Sequence, residues 1–354
     1  VGILGDNRVD DLAHDPGAQL RSNSRMAMRM QLAEVLTNRE KSVLWDLTRQ
    51  LGVSQVVTGI NDGPGLAPAW DFERLKGIKE RFSAAGLDVT VIESAPSSIQ
   101  EPIKLGLGDR DEHIDHFCQL IENMGRLNIP IMCHNWMAGI GWLRTSFDEP
   151  ERGGALVSGF DHDVNEALGP TQFGEVTEEQ LWERMEYFLK RVVPVAEKAG
   201  VFLAVHPDDP PRSPVRGIGR ILTSPENFQR VLDIYPSPHN GLTFCQGNFS
   251  AMGVNVPETI RHFGRQGAIK FVHFRDVRGT RDKFVETFHD NGQTDMVEAM
   301  RAYADVDFTG PARVDHVPTM AGEDNSAPGY ETMGRLYALG YMRGLMEAVA
   351  KEYA

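Results

Sequence analysis

A parallel (β/α)8 barrel of the α/β class, forming one domain, is the fold predicted by three features of this sequence. Short apolar runs recur eight times, stretches with helical period separate most of them, and the fingerprint G-x-G-x-x-G that opens a doubly wound sheet does not follow the first run. With 354 residues and a 41% hydrophobic composition, the chain can bury a core of barrel size.

The predicted strands are 28–32, 55–59, 88–92, 129–134, 201–206, 241–245, 268–273 and 311–315, each a short run bounded by turn residues. Helical segments are predicted at 69–86, 111–128 and 177–200, each ending on Gly or Asn, residues that tolerate the left-handed conformation of a helix C-terminus. Two regions break the alternation. Residues 1–25 are polar and are expected to form a tail or extension, with Met26 and Met28 offering a natural start, so the barrel is assigned to 26–354. Residues 136–176, rich in Gly, Asp and Glu, are expected to form a long insertion after the fourth strand, and loops of that length inside a domain are usually functional or disordered.

Composition excludes several functions. A net charge of -14 without a basic block argues against a nucleic-acid partner. No apolar run approaches the roughly 18 residues of a membrane helix, and no signal-peptide pattern opens the sequence, so a soluble, cytoplasmic protein with no membrane partner is expected. Cys118, Cys133 and Cys245 are odd in number and widely spaced, which suits reduced thiols.

A barrel carries its active site at the C-terminal ends of its strands. The fifth predicted strand ends at His206, the sixth at Cys245, the seventh at His273 and the eighth at Asp315. Any one of these is an ordinary rim or core residue; on four adjacent strands they form a donor set for a borderline divalent ion such as Mn, Fe, Co, Ni or Zn. His113 and His116 stand three apart on a predicted helix, but no third ligand accompanies them. Cys133, at another strand end, is compatible with a substrate contact or with packing.

Several longer stretches carry a resemblance. HPDDPP (206–211), RGIGRILTSPENFQRVL, HNGLTFCQGN (239–248), FVHFRDV (271–277), FVETFHDNGQTDM (284–296), VDHVPTM and APGY (314–330), with MCHNWMAGIGWLRT (132–145), resemble the D-mannonate dehydratase family over roughly residues 26–350. That resemblance implies a TIM barrel, a divalent metal (most often Mn²⁺, with Fe²⁺ or Co²⁺ as substitutes) and loss of water from a small-molecule sugar acid, D-mannonate, to give 2-keto-3-deoxy-D-gluconate. It further implies His206, Cys245, His273 and Asp315 as metal ligands and a catalytic group of Asp315, His316 and Tyr330. Asn135, Arg275 and His289 fall in its substrate-facing segments, and a homo-oligomer is expected.

Under this resemblance the C2 proton is removed by Asp315 or His316, and Tyr330 or His316 protonates the departing 3-hydroxyl. Asp208 and Asp209 either orient the ligands or cap the turn after Pro207. Two departures bear on the substrate: the first strand lacks the family's Arg-Trp pair, so that a substrate contact there is either missing or replaced by Glu34, and Asp315-His316 is followed by Val317-Pro318. The alternatives are a metal-dependent isomerase or epimerase on a xylose-isomerase-type barrel, a dehydratase for another sugar acid, and a non-catalytic sugar-acid binder.

Overall fold

A computed structural model describes residues 29–353, so the expected extension at 1–25 lies outside the described residues. Twelve strands are described: β1 (Gln31–Val35), β2 (Gln55–Thr58), β3 (Asp88–Glu93), β4 (Ile131–Asn135), β5 (Ser146–Pro150), β6 (Leu156–Asp161), β7 (Phe202–His206), β8 (Asn240–Cys245), β9 (Ile269–Phe274), β10 (Val277–Thr280), β11 (Lys283–Glu286) and β12 (Pro311–Val314). Eight of them close a barrel in the order β1-β12-β9-β8-β7-β4-β3-β2, every pairing parallel. These are the eight predicted strands, and the predicted barrel is the observed fold. Only the first is displaced, by three residues.

The barrel has two apolar layers. Inside it, Ala33, Val57, Val91, Ile131, Cys133, Ala204 and Phe271 form a small lumen cluster, and a much larger cluster fills the space between strands and helices. This double burial is why the strands read as continuous apolar runs rather than alternating ones.

The helices form where the sequence supplies their ends. Glu178–Ala199 starts at a capping box, with Thr177 accepting from the Gln180 N–H and the Gln180 side chain reciprocating, and stops at Gly200 with φ 69°. Phe72–Ala84 is capped by Asp71, which accepts from the Arg74 N–H at 2.8 Å.

Residues 136–176, the expected insertion after the fourth barrel strand, carry strands of their own. β5 and β6 pair antiparallel within them, and β6 pairs with β11 of the β10–β11 hairpin, giving a four-stranded sheet in the order β10-β11-β6-β5. The hairpin directly follows β9, so this sheet stands over the C-terminal mouth of the barrel. In β11 the two-residue period of a strand turns Phe284 and Glu286 inward together, and both are buried.

Candidate metal centre and its surroundings

At the C-terminal mouth lies a cavity of about 190 Å³, lined among others by Glu93, Asn135, Trp142, His206, His273 and Tyr330. His206 ends β7, His273 is the penultimate residue of β9, Cys245 ends β8, and Asp315 directly follows β12. The donor atoms of His206, Cys245 and His273 lie within 4.8 Å of one another. His206 Nε2 is 3.1 Å from His273 Nδ1, and Asp315 Oδ2 is 3.6 Å from that nitrogen and 3.8 Å from Cys245 Sγ.

The chemistry of this donor set fits a divalent cation. The Pro207 carbonyl lies 2.7 Å from His206 Nδ1, and a proton shared there leaves the Nε2 lone pair facing the other donors. Burial raises the Cys245 thiol, but Arg275 and the neighbouring His206 and His273 outweigh it and bring the group down to about 6, so the sulfur is available as thiolate near neutral pH. Glu93, Cys133 and His273 form a second cluster of donors. There, however, burial and the nearby Glu93 push the Cys133 thiol well above its ordinary value, and Cys133 accepts from Thr243 Oγ1 at 3.2 Å as part of the lumen packing. The first cluster is therefore the better cradle for a cation, and Glu93, 3.3 Å from His273 Nε2, stands behind the imidazole as an orienting carboxylate.

A buried ionic lattice surrounds these groups. Asp315 Oδ2 accepts from Arg275 Nε at 2.7 Å, while Oδ1 lies 2.9 Å from Arg313 Nη1. Burial alone would raise the Asp315 carboxyl, yet His316, Arg313 and His273 hold it well below the carboxylate range. Arg313 also grips Glu93 through both oxygens at 3.0 Å. Arg144 and Arg275 share Asp209 and Glu286, and Glu286 Oε1 is 2.9 Å from His316 Nδ1. His316 Nε2 in turn meets the Tyr330 hydroxyl at 3.1 Å, and the Trp142 ring lies 4.9 Å from the imidazole. Burial, with Asp315 adding to it, pushes the Tyr330 phenol up, so it keeps its proton.

The structure thus brings His206, His273, Asp315, His316, Tyr330 and Asn135 to the lining of one cavity, with Cys245 buried beside His206 and His273. Two residues expected to contact substrate, Arg275 and His289, lie outside the cavity lining. Arg275 is fully buried behind Asp315 and its guanidinium is spent on Asp315, Glu286, Asp209 and Asn248. Gly247 makes room for it, since a Cβ there would overlap the guanidinium. His289 is buried beside Phe274 and outside the cavity lining, and burial lowers it to about 4, leaving a neutral packing residue. Glu34 likewise is not among the lining residues; it is fully buried and 3.4 Å from Arg335.

Asp208 and Asp209 divide the two roles expected of them. Asp208 accepts from the Leu222 N–H and from Arg220, fixing the exit of the chain, whereas Asp209 joins the arginine lattice. His113 pairs with Asp109 and His116 stacks on Trp70, so neither belongs to a site. Sequence reasoning missed Glu93, Arg144, Glu286 and Arg313. Glu93 ends β3, and the strand-end rule that found the metal ligands finds it too when applied there.

Comparison with known proteins agrees with this architecture. The sequence matches the family model of D-mannonate dehydratase (UxuA) over residues 28–173 and 170–354. Mannonate dehydratase from Thermotoga maritima is 36% identical over 346 residues, covering 88% of this chain and 95% of that protein. Mannonate dehydratase 2 from Halalkalibacterium halodurans is 35% identical over 326 residues, covering 84% and 93%. The crystal structure of mannonate dehydratase from Streptococcus suis serotype 2 superposes with a TM-score of 0.85 at 31% identity, covering 91% of this chain and 95% of that one. An L-ribulose 3-epimerase structure, at 15% identity and a TM-score of 0.58, shares the fold alone. Matched along nearly its whole described length in sequence and in structure, the chain belongs to the D-mannonate dehydratase family and is a hydro-lyase.

Proposed function

We propose that this enzyme removes water from D-mannonate to give 2-keto-3-deoxy-D-gluconate, using a divalent cation held by His206, Cys245, His273 and Asp315. The mixture of imidazole, thiolate and carboxylate suits a borderline divalent ion, and the family resemblance makes Mn²⁺ the first choice, with Fe²⁺ or Co²⁺ as substitutes. The observation that carries the reading is the placement of the His316–Tyr330 pair, 3.1 Å apart, in the same cavity as the cation cradle. Such a cation, when bound, supplies Lewis acidity that stabilises negative charge on the substrate carboxylate as the C2 proton is lost.

The residues divide the proton chemistry. Asp315 is a poor base, because both its oxygens face arginines and its carboxyl is held far down. His316, with Nδ1 against Glu286 and Nε2 toward the cavity, takes the C2 proton. Tyr330 keeps its phenolic proton and gives it to the departing 3-hydroxyl, which leaves as water. The His316–Tyr330 contact then returns the C2 proton to the phenolate, and the resulting enol tautomerises to the 2-keto acid. Trp142 over His316 and the sheet above keep bulk water from the reacting face.

The test is incubation of metal-stripped protein with and without Mn²⁺ on D-mannonate, D-gluconate and other hexonates, with an assay for 2-keto-3-deoxy acid. Metal-dependent product from D-mannonate is expected. No product from any hexonate while metal is bound would replace this reading by an isomerase or epimerase.

A further inference from the structure

Lys104 is a buried cation near the cavity that belongs neither to the metal cradle nor to the arginine lattice. Lys104, in the helix Ser97–Leu105, is 3% exposed, and its ammonium donates to Asn135 Oδ1 at 2.8 Å while lying 3.3 Å from Glu101 Oε1. Glu101 is itself anchored by accepting from the Gly139 N–H at 2.7 Å through its other oxygen. Asn135 ends β4 and lines the cavity. Its Oδ1 also accepts from the Met137 N–H at 3.1 Å.

These two partners decide the orientation of the amide. An ammonium and a backbone N–H can only donate, so both require the carbonyl oxygen of Asn135, and a flipped amide would set its N–H₂ against two donors. The Asn135 nitrogen makes no hydrogen bond to another described residue and is left for the cavity. We infer that Lys104 is a positioning residue that locks Asn135 into a donor-only contact for an acceptor oxygen of the sugar acid, so that recognition at this wall depends on a side chain the substrate never touches. The inference rests on the proposed sugar-acid reading.

Three variants test it: Lys104→Met, Asn135→Ala and Asn135→Asp, with the double variant Lys104→Met/Asn135→Ala. Metal content and melting temperature are followed alongside steady-state kinetics on D-mannonate with Mn²⁺. Losing one oriented hydrogen bond is expected to raise KM about tenfold in each single alanine or methionine variant, with kcat changed less. The double variant is expected to resemble Asn135→Ala, because Lys104 acts on the substrate only through Asn135. Asn135→Asp keeps an oxygen on Lys104 but turns a second one into the cavity, and it is expected to raise KM more than Asn135→Ala does.

Unchanged KM in Lys104→Met, or effects of Lys104→Met and Asn135→Ala that multiply in the double variant, would overturn the inference. So would Asn135→Asp binding substrate as well as Asn135→Ala, an outcome that is decisive even if Lys104→Met does not fold. If the unmodified enzyme gives no product from D-mannonate, the proposed function fails first, and that result is distinct from any of these.

Discussion

Replacing Arg275 by Met discriminates the structural reading of this residue from the expectation that it contacts substrate. The guanidinium makes five hydrogen bonds to four buried partners: Asp315 at 2.7 Å, Glu286 at 3.1 and 2.9 Å, Asp209 at 2.8 Å and Asn248 at 2.9 Å. At about 1.5–3 kcal/mol for each bond to a charged group, counting them separately exaggerates the loss. Asp209 and Glu286 keep Arg144, and Asp315 keeps Arg313, so the smaller cost of breaking a buried ion pair from one side applies, about 3–5 kcal/mol. Met fills comparable space, and the loss is therefore electrostatic. Urea denaturation should show the destabilisation, and competition with a chelator should show weaker metal binding because Asp315 loses the donor that aims it. Arg275→Lys is expected to recover little, since one ammonium cannot span partners arranged for a planar fork. A stability change below about 0.5 kcal/mol, the range of ordinary surface substitutions, together with unchanged metal affinity and a raised KM, would refute the reasoning and return Arg275 to the substrate.

Three other outcomes are expected. In the metal-stripped protein burial and Arg313 lower His273, but Glu93 and Asp315 outweigh them and hold it up at about 10, whereas Cys245 lies at about 6. Cation binding at pH 8 should therefore release about one proton, from His273, and affinity should climb about tenfold per pH unit between these values; calorimetric titrations in buffers of different ionisation enthalpy measure the count, and zero would contradict it. His134 is buried and lowered from 6.5 to about 3 by burial and by Lys104. Its folded value lies below its unfolded one, so its contribution is whole above pH 6.5 and is lost as pH falls toward 3, by about 2 kcal/mol at pH 5. Denaturation curves at pH 7 and 5 should diverge less in His134→Gln, and equal divergence would exclude the effect. Tyr330→Phe should lower kcat by about 10²–10⁴ with metal content preserved, and kinetics showing a loss under tenfold would remove Tyr330 as the acid.

Most of the barrel was legible because a strand buried on both faces leaves an uninterrupted apolar run. β1 was misplaced for the same reason in reverse: Glu34 is buried with Arg335 as its partner, and a charged residue in the middle of the strand broke the run that periodicity looks for. The sheet formed by β5, β6, β10 and β11 was not legible at all. SFDEP of β5 has little apolar character and lies largely exposed, and its stability comes from a neighbour that itself pairs with a hairpin much later in the chain. The strand-end residues His206, Cys245, His273 and Asp315 could be read one at a time. Arg144, Glu286 and Arg313 could not, since each has meaning only through partners that the fold brings from elsewhere. The same holds for Arg275, recognisable as part of a motif, whose protein partners Asp315, Glu286, Asp209 and Asn248 come together only in the fold.

The late pairing of β6 with β11 also constrains how the chain is made. At roughly 5–20 residues per second, β6 leaves the ribosome on the order of ten seconds before β11 exists to cover it. A β5–β6 hairpin formed in that interval would have an open edge, the kind of surface on which two nascent chains can pair. Asp148, Glu149, Glu151 and Asp161 are carried on or beside these two strands. Their like charge repels a second copy of the same hairpin until Lys283 arrives opposite Asp161 in register and the edge is closed from within the same molecule.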